Sequence, residues 1–118
     1  SHTKETIMPI LLTLTKKELL VILTLTHMDS EGIPSTYLTV SRRLNISEGC
    51  LRGYIATLIK KQVPIQKDKK NNKLVFLVLD SVLKENAVKS QLVSLFYQND
   101  PNQLDLLNPL SFGGSSHS

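Results

Sequence analysis

Hydrophobic and polar positions change their period along this chain, and each change marks an element. Leu19, Leu20, Val21, Ile22, Leu23 and Leu25 crowd so densely that a helix here is apolar around most of its circumference rather than along one stripe. Such a helix calls for burial on two sides, one against the domain core and the other against the C-terminal helix or a second subunit. Its start is set by Thr15-Lys16-Lys17-Glu18, a capping box in which the Thr15 hydroxyl accepts from the N–H of Glu18 and the Glu18 carboxylate reaches back to the N–H of Thr15. The helix is expected to run to about Met28, and the polar turn Asp29-Ser30-Glu31-Gly32 follows. Ile33-Pro34-Ser35 sets up a second helix over 36–44 with Ser35 as its N-cap. Asn45 ends that helix, because asparagine tolerates the left-handed conformation of a tight stop, and Ile46 plugs the turn into the core. Ser47 caps a third helix running to about Gln62, whose buried stripe is Leu51, Ile55, Leu58 and Ile59. Pro64 stops it.

Beyond Pro64 the period shortens. Residues 65–68 and 74–79 flank the polar Lys69-Lys70-Asn71-Asn72-Lys73, the pattern of a β-hairpin with a cationic tip. A last helix starts after Asp80 or Ser81 and runs to about Gln98, with Leu83, Ala87 or Val88, Leu92, Leu95 and Phe96 on its apolar side. Asn99-Asp100-Pro101 ends it. At 118 residues and 41% hydrophobic content the chain supports one core. No apolar stretch approaches the roughly 18 to 20 residues that span a bilayer, and the run over 7–14 is broken by Pro9. The expectation is a chain free of the membrane, in the cytoplasm. Residues 1–14 read as an N-terminal extension whose Ser-His start is a tag remnant, 15–79 as the main domain, 80–98 as a C-terminal helix available for dimerisation, and 99–118 as a flexible tail, loosely docked through Leu104, Leu106 and Leu107 and then disordered. The absence of an initiator methionine fits a fragment of a larger protein.

Charge sharpens this picture. Nine of the 14 Lys and Arg residues, but only two of the 10 Asp and Glu residues, fall between Arg42 and Lys73. Positive charge concentrated on one helix and the hairpin after it makes an electrostatic footprint suited to phosphates. The plainer reading is a solvated lysine face.

The order helix, helix, tight turn, helix, basic hairpin, with Val40, Ser41, Leu44, Ile46, Ser47, Leu51, Ile55 and Leu58 in register, resembles the winged helix-turn-helix superfamily of bacterial and archaeal regulators over about 15–79. The resemblance implies a mainly α fold with a small β-hairpin: a three-helix core, a wing and an additional C-terminal helix. It also implies double-stranded DNA as partner. Two positions depart from the pattern, where relatives often carry glycine: Asn45 in the turn and Gln62 between the third helix and the hairpin. By the resemblance, base contacts fall to Glu48, Gly49, Cys50, Arg52 and Gly53, with Tyr54 or Thr57 at the edge of that set. Backbone contacts fall to Ser47, Arg42, Arg43, Tyr54, Lys60, Lys61, Lys67, Lys69, Lys70 and Lys73. The base-facing set is poor in reading groups. Arg52 can meet a guanine edge and Glu48 a cytosine amine, whereas Gly49 and Gly53 read nothing and each costs about 1 kcal/mol in a helix interior relative to alanine. Affinity is then expected mainly from phosphate contacts. Tyr54, at the edge of the helix stripe, reads more readily as partly buried packing than as a phosphate contact, and Cys50 as a plain small residue rather than a redox sensor.

Enzyme chemistry finds little support in this sequence. The three histidines are His2, His27 and His117, without metal-ligand spacing, and a single cysteine makes neither a disulfide nor a cysteine-based zinc site. No G-x-S-x-G or phosphate-cradling glycine loop occurs, and Glu48 and Asp68 are too isolated for a nuclease pair. The expectation is a non-enzymatic DNA-binding protein without metal or cofactor. It would act as a dimeric transcriptional regulator whose first and last helices supply the homodimer interface. The alternatives are the DNA-binding module of a larger replication, plasmid-maintenance or mobile-element protein, and a winged-helix scaffold for protein partners that does not bind DNA.

Overall fold

Thr3, Thr15, Thr36 and Ser47 each place a side-chain oxygen where the first turn of a helix leaves backbone N–H groups unbonded, and four helices start from them. The computed structural model describes residues 2–70 and 74–98. Helix α1 spans Lys4–Leu11, α2 Lys16–Ser30, α3 Tyr37–Leu44 and α4 Glu48–Lys60; strands β1 (Ile65–Lys70) and β2 (Leu74–Leu79) form an antiparallel hairpin; a short 3-10 turn, Ser81–Lys84, leads into α5, Asn86–Gln98. The architecture is mainly α with a small two-stranded hairpin.

The capping box at Thr15 forms as its spacing predicts: the N–H of Glu18 donates to the Thr15 hydroxyl (3.2 Å) and the N–H of Thr15 to the Glu18 carboxylate (2.9 Å). Helix α2 runs two residues past Met28 and is buried nearly all round, through Leu19, Val21, Ile22, Leu25 and Met28 and even Thr24 and Thr26. The two threonine hydroxyls donate to the carbonyls of Leu20 and Leu23 (both 2.8 Å), so neither leaves a buried polar group unpaired. One side of α2 meets α3 and α4, and another is covered by α5.

That second cover bears on two expectations. The 1–14 segment is more than an extension: residues 4–11 form α1, whose Ile7 and Leu11 are fully buried and which packs on α5. Pro9 removes one backbone donor, and the helix persists because the i, i+4 pair Ile7 and Leu11 anchors it to the core. The apolar surplus of α2, for which the C-terminal helix or a second subunit was expected as cover, is largely covered by that C-terminal helix, α5, with Leu20 left exposed. Val88, Leu92 and Leu95 of α5 belong to the same core as Leu19, Ile22 and Leu51. Residues 81–84 form the 3-10 turn rather than the first turn of α5, with the Asp80 carboxylate accepting from the N–H of Val82 (3.1 Å).

Asn45 does end α3 in the left-handed region, at φ 58°. The cap of α3 is Thr36 and not Ser35. Ser35 and Thr36 also hold the hairpin. The N–H of Leu77 donates to the Ser35 carbonyl (2.8 Å), and Thr36 bridges Phe76, so the start of α3 lies beside β2 and ties the hairpin to the helices. Helix α4 ends at Lys60, two residues earlier than its pattern suggests, because Gln62 takes φ 76°. This is the position where the resemblance leads one to expect glycine. A left-handed backbone costs a residue with a Cβ about 1 kcal/mol that glycine is spared. Gln62→Gly is therefore expected to stabilise the fold by about 0.5 to 1 kcal/mol, read as a higher urea midpoint with an unchanged slope.

Among the described residues no helix is long and apolar enough to cross a membrane. Lys73, with the rest of the hairpin tip at 71–73, and the 99–118 tail lie outside the described residues.

Candidate nucleic-acid interface

Helix α4 buries Leu51, Ile55 and Leu58 on one side. At about 100° per residue, the side pointing directly away carries Gly49, Gly53, Ala56, Thr57 and Lys60, all exposed. The crest is nearly bare of side-chain bulk, and the fold does not require this. A Cβ on Gly53 would meet nothing within 4 Å, and one on Gly49 only the Ser47 Oγ at 4.0 Å. Cys50 and Tyr54 lie along one flank of this crest, Glu48 and Arg52 along the other. Cys50 is exposed. Tyr54 is half-buried in a crevice with Lys17, Leu20 and Ile46 beside α2, so packing describes it better than a groove contact. Ser47 is the N-cap of α4, its hydroxyl oxygen accepting from the N–H of Cys50 (3.0 Å).

The cations expected at DNA, Arg52 at a base and the others at phosphates, separate into two groups. Arg43 lies 3.5 Å from Glu31, which His27 also approaches at 3.4 Å; Arg52 lies 3.8 Å from Glu48; Lys70 lies 3.2 Å from Asp68. Lys61 has the shortest ion pair of the set. Its ammonium sits 2.7 Å from the carboxylate of Glu18, whose side chain is 5% exposed, and it also donates to the Thr13 carbonyl (3.1 Å). It joins the end of α4 to the start of α2 and is a structural residue. Burial pushes the Glu18 carboxyl up, but the hydrogen bond from Lys61, the backbone N–H of Thr15 and the attraction of the Lys61 charge together outweigh this and hold it below its ordinary 4.5. Arg42, Lys60, Lys67 and Lys69, by contrast, are exposed and make no ion pair among the described residues.

Strand register sorts the hairpin lysines. Lys67 pairs with Leu77 and Lys69 with Val75, whereas Lys70 pairs with Leu74 and Asp68 with Phe76. Alternation therefore places Lys67 and Lys69 on the face that carries Val75 and the buried Leu77. Val75 lines a small cleft together with Glu48 and Arg52, and Leu74 lines it from the opposite face, so the start of β2 lies beside α4. Lys70 and Asp68 lie on the far face, at a cleft of about 290 Å³ with Ile33, Pro34 and Phe76, where the Lys70–Asp68 and Lys84–Asp29 pairs neutralise the rim.

One side chain outside the expected set belongs here. The Arg52 guanidinium carbon lies 4.1 Å from the ring centroid of Tyr37, a cation–π contact between the first residue of α3 and the flank of α4. Nothing local in the sequence announces it, since the two residues come from different helices. No family model matches the chain, and neither a curated protein nor a solved structure does.

Proposed function

We propose that this chain binds duplex DNA in the manner of a winged helix, with the crest of α4 against the major groove and the Lys67/Lys69 face of the hairpin against the neighbouring phosphates. The observation that carries the reading is the pairing of a helix crest without side-chain bulk with exposed cations on α3, α4 and the hairpin that make no ion pair among the described residues. Low bulk lets the α4 backbone approach closely, and Arg42, Lys60, Lys67 and Lys69 supply charge without first giving up a carboxylate. Binding of this kind is dominated by phosphate contacts and tolerates many sequences. The biological role that suits it is regulation of transcription, or the DNA-binding step of a larger replication or mobile-element protein. Of the two helices expected to form a homodimer interface, α5 covers part of α2, while Leu20 of α2 and Val93 and Tyr97 of α5 stay exposed for a second copy of this chain.

The test is fluorescence anisotropy with a mixed-sequence duplex across a salt series. Neutralising about four phosphates predicts a slope of log affinity on log salt of roughly −3 to −4. A folded protein that binds no duplex at low salt would move the reading to the protein-interaction scaffold. A second outcome follows from the crest. Gly53→Ala is expected to stabilise the fold by about 0.5 to 1 kcal/mol, because the added methyl meets open space and alanine favours helix, yet to weaken DNA binding. Thermal melts and anisotropy on the same variant read the two opposite signs.

A further inference from the structure

We infer that Tyr37 is a positioning residue that braces the Arg52–Glu48 pair as the reader of a single G·C base pair. The inference rests on the DNA-binding reading above and specifies where its selectivity lies. Tyr37 is 6% exposed and follows the Thr36 cap, which is locked by reciprocal bonds with Thr39 (2.9 and 3.1 Å), so its ring is a rigid platform. The Arg52 guanidinium lies over that ring at 4.1 Å, and Glu48, one helical turn earlier, holds it from the side at 3.8 Å. The Arg52 side chain is nonetheless 57% exposed. A long, flexible side chain is thus held in one place before any partner arrives, with donors still open to solvent.

Charge decides what this arrangement suits. Arg52 and Glu48 together are neutral, and the Glu48 carboxylate repels phosphate, so the pair is a poor backbone clamp. A base edge is neutral and dipolar, and both members match one: the guanidinium fork fits the O6 and N7 acceptors of guanine, and the carboxylate accepts from the N4 amine of cytosine. The flank they occupy borders the glycine crest, where the groove floor lies when the crest is inserted. Leu38, Leu74 and Val75 wall the adjacent cleft of about 100 Å³, and apolar walls strengthen the charged hydrogen bonds beside them. With Gly49 and Gly53 reading nothing, selectivity is concentrated at this one pair.

Selection from a randomised duplex pool should enrich one strong G·C position flanked by loosely specified ones. Anisotropy on duplexes differing at that pair should then show about tenfold discrimination for the wild-type protein. Tyr37→Leu is expected to reduce it to about twofold; Tyr37→Phe, which keeps the ring, should preserve it. Adding Arg52→Ala to Tyr37→Leu should remove no more than the remaining discrimination of about twofold. Glu48→Gln, an exposed change that spares the core, should raise affinity for all duplexes and lower discrimination, which covers the case of a Tyr37→Leu protein that fails to fold. In the DNA-free protein, the Arg52 side-chain Hε signal should be shifted by the ring in wild type and Tyr37→Phe and return to its free position in Tyr37→Leu. Full discrimination in Tyr37→Leu or Glu48→Gln, or an unshifted Arg52 Hε in wild type, overturns the brace. Salt-sensitive binding without any base preference overturns this inference alone, whereas no duplex binding overturns the DNA reading itself and the inference with it.

Discussion

Lys61→Met is expected to destabilise the fold by about 3 kcal/mol and to lower Tm by roughly 12 to 20 °C, whereas Lys60→Met one residue away should leave Tm nearly unchanged. The contrast follows from partners. Lys60 is exposed and makes no ion pair among the described residues, while Lys61 neutralises a carboxylate that α2 has drawn into the core. Removing one member of such a pair leaves the other charged and desolvated, which costs more than the pair contributes; the value is set at the low end of the usual range because the Lys61 side chain is 29% exposed. The pH dependence gives an independent check. In the folded wild-type protein the Glu18 carboxyl lies below its ordinary 4.5, so its contribution is present above that value and is lost as pH falls through the lower folded-state value. Without Lys61, burial pushes the carboxyl upward, so lowering the pH relieves part of the variant's penalty while the wild-type protein loses its Glu18 contribution. Once Glu18 is protonated in both proteins, the stability difference should shrink. Urea midpoints for the two proteins between about pH 7 and pH 3 would reveal both trends, and a difference constant across that range would contradict the assignment.

The second large effect concerns the hairpin. Lys67→Glu with Lys69→Glu is expected to weaken duplex binding by at least about tenfold at low salt and to flatten the salt dependence by about 1.8 units, the loss of two phosphate contacts. Lys70→Glu should change affinity by no more than about twofold, since Lys70 lies on the far face beside Asp68. Equal losses from both variants would mean that the hairpin acts as a diffuse cationic tip rather than through one face.

Much of this arrangement is legible in the chain, and the reasons are local. The capping box at Thr15, the left-handed Asn45, the Ser47 cap and the Leu51, Ile55, Leu58 stripe each depend on residues within a turn or two of one another, so spacing suffices. Helix α1 stays hidden because Pro9 and its eight-residue length argue against a helix that only tertiary packing sustains. Lys60 and Lys61 are indistinguishable as sequence; they are separated by Glu18, 43 positions before Lys61. The hairpin lysines divide by face only once the register is fixed, because a slip of one residue would exchange them. The stack of Arg52 on Tyr37 and the Thr36–Phe76 bridge likewise join segments that no local pattern connects. Gln62 departs from the glycine of the resemblance, and its φ of 76° shows the backbone keeping the glycine-like conformation without the glycine.

DNA binding through α4 and the hairpin is tested most directly by titrating a mixed-sequence duplex into the 15N-labelled protein at low salt and following backbone amide shifts. Perturbations are expected to centre on Gly49, Gly53, Thr57 and Lys60 of α4 and on Lys67 and Lys69 of β1, with α1, α5 and Lys84 unmoved. Shifts centred on α5 or on the Ile33–Phe76 cleft, or a spectrum that stays unchanged in excess duplex, would contradict it.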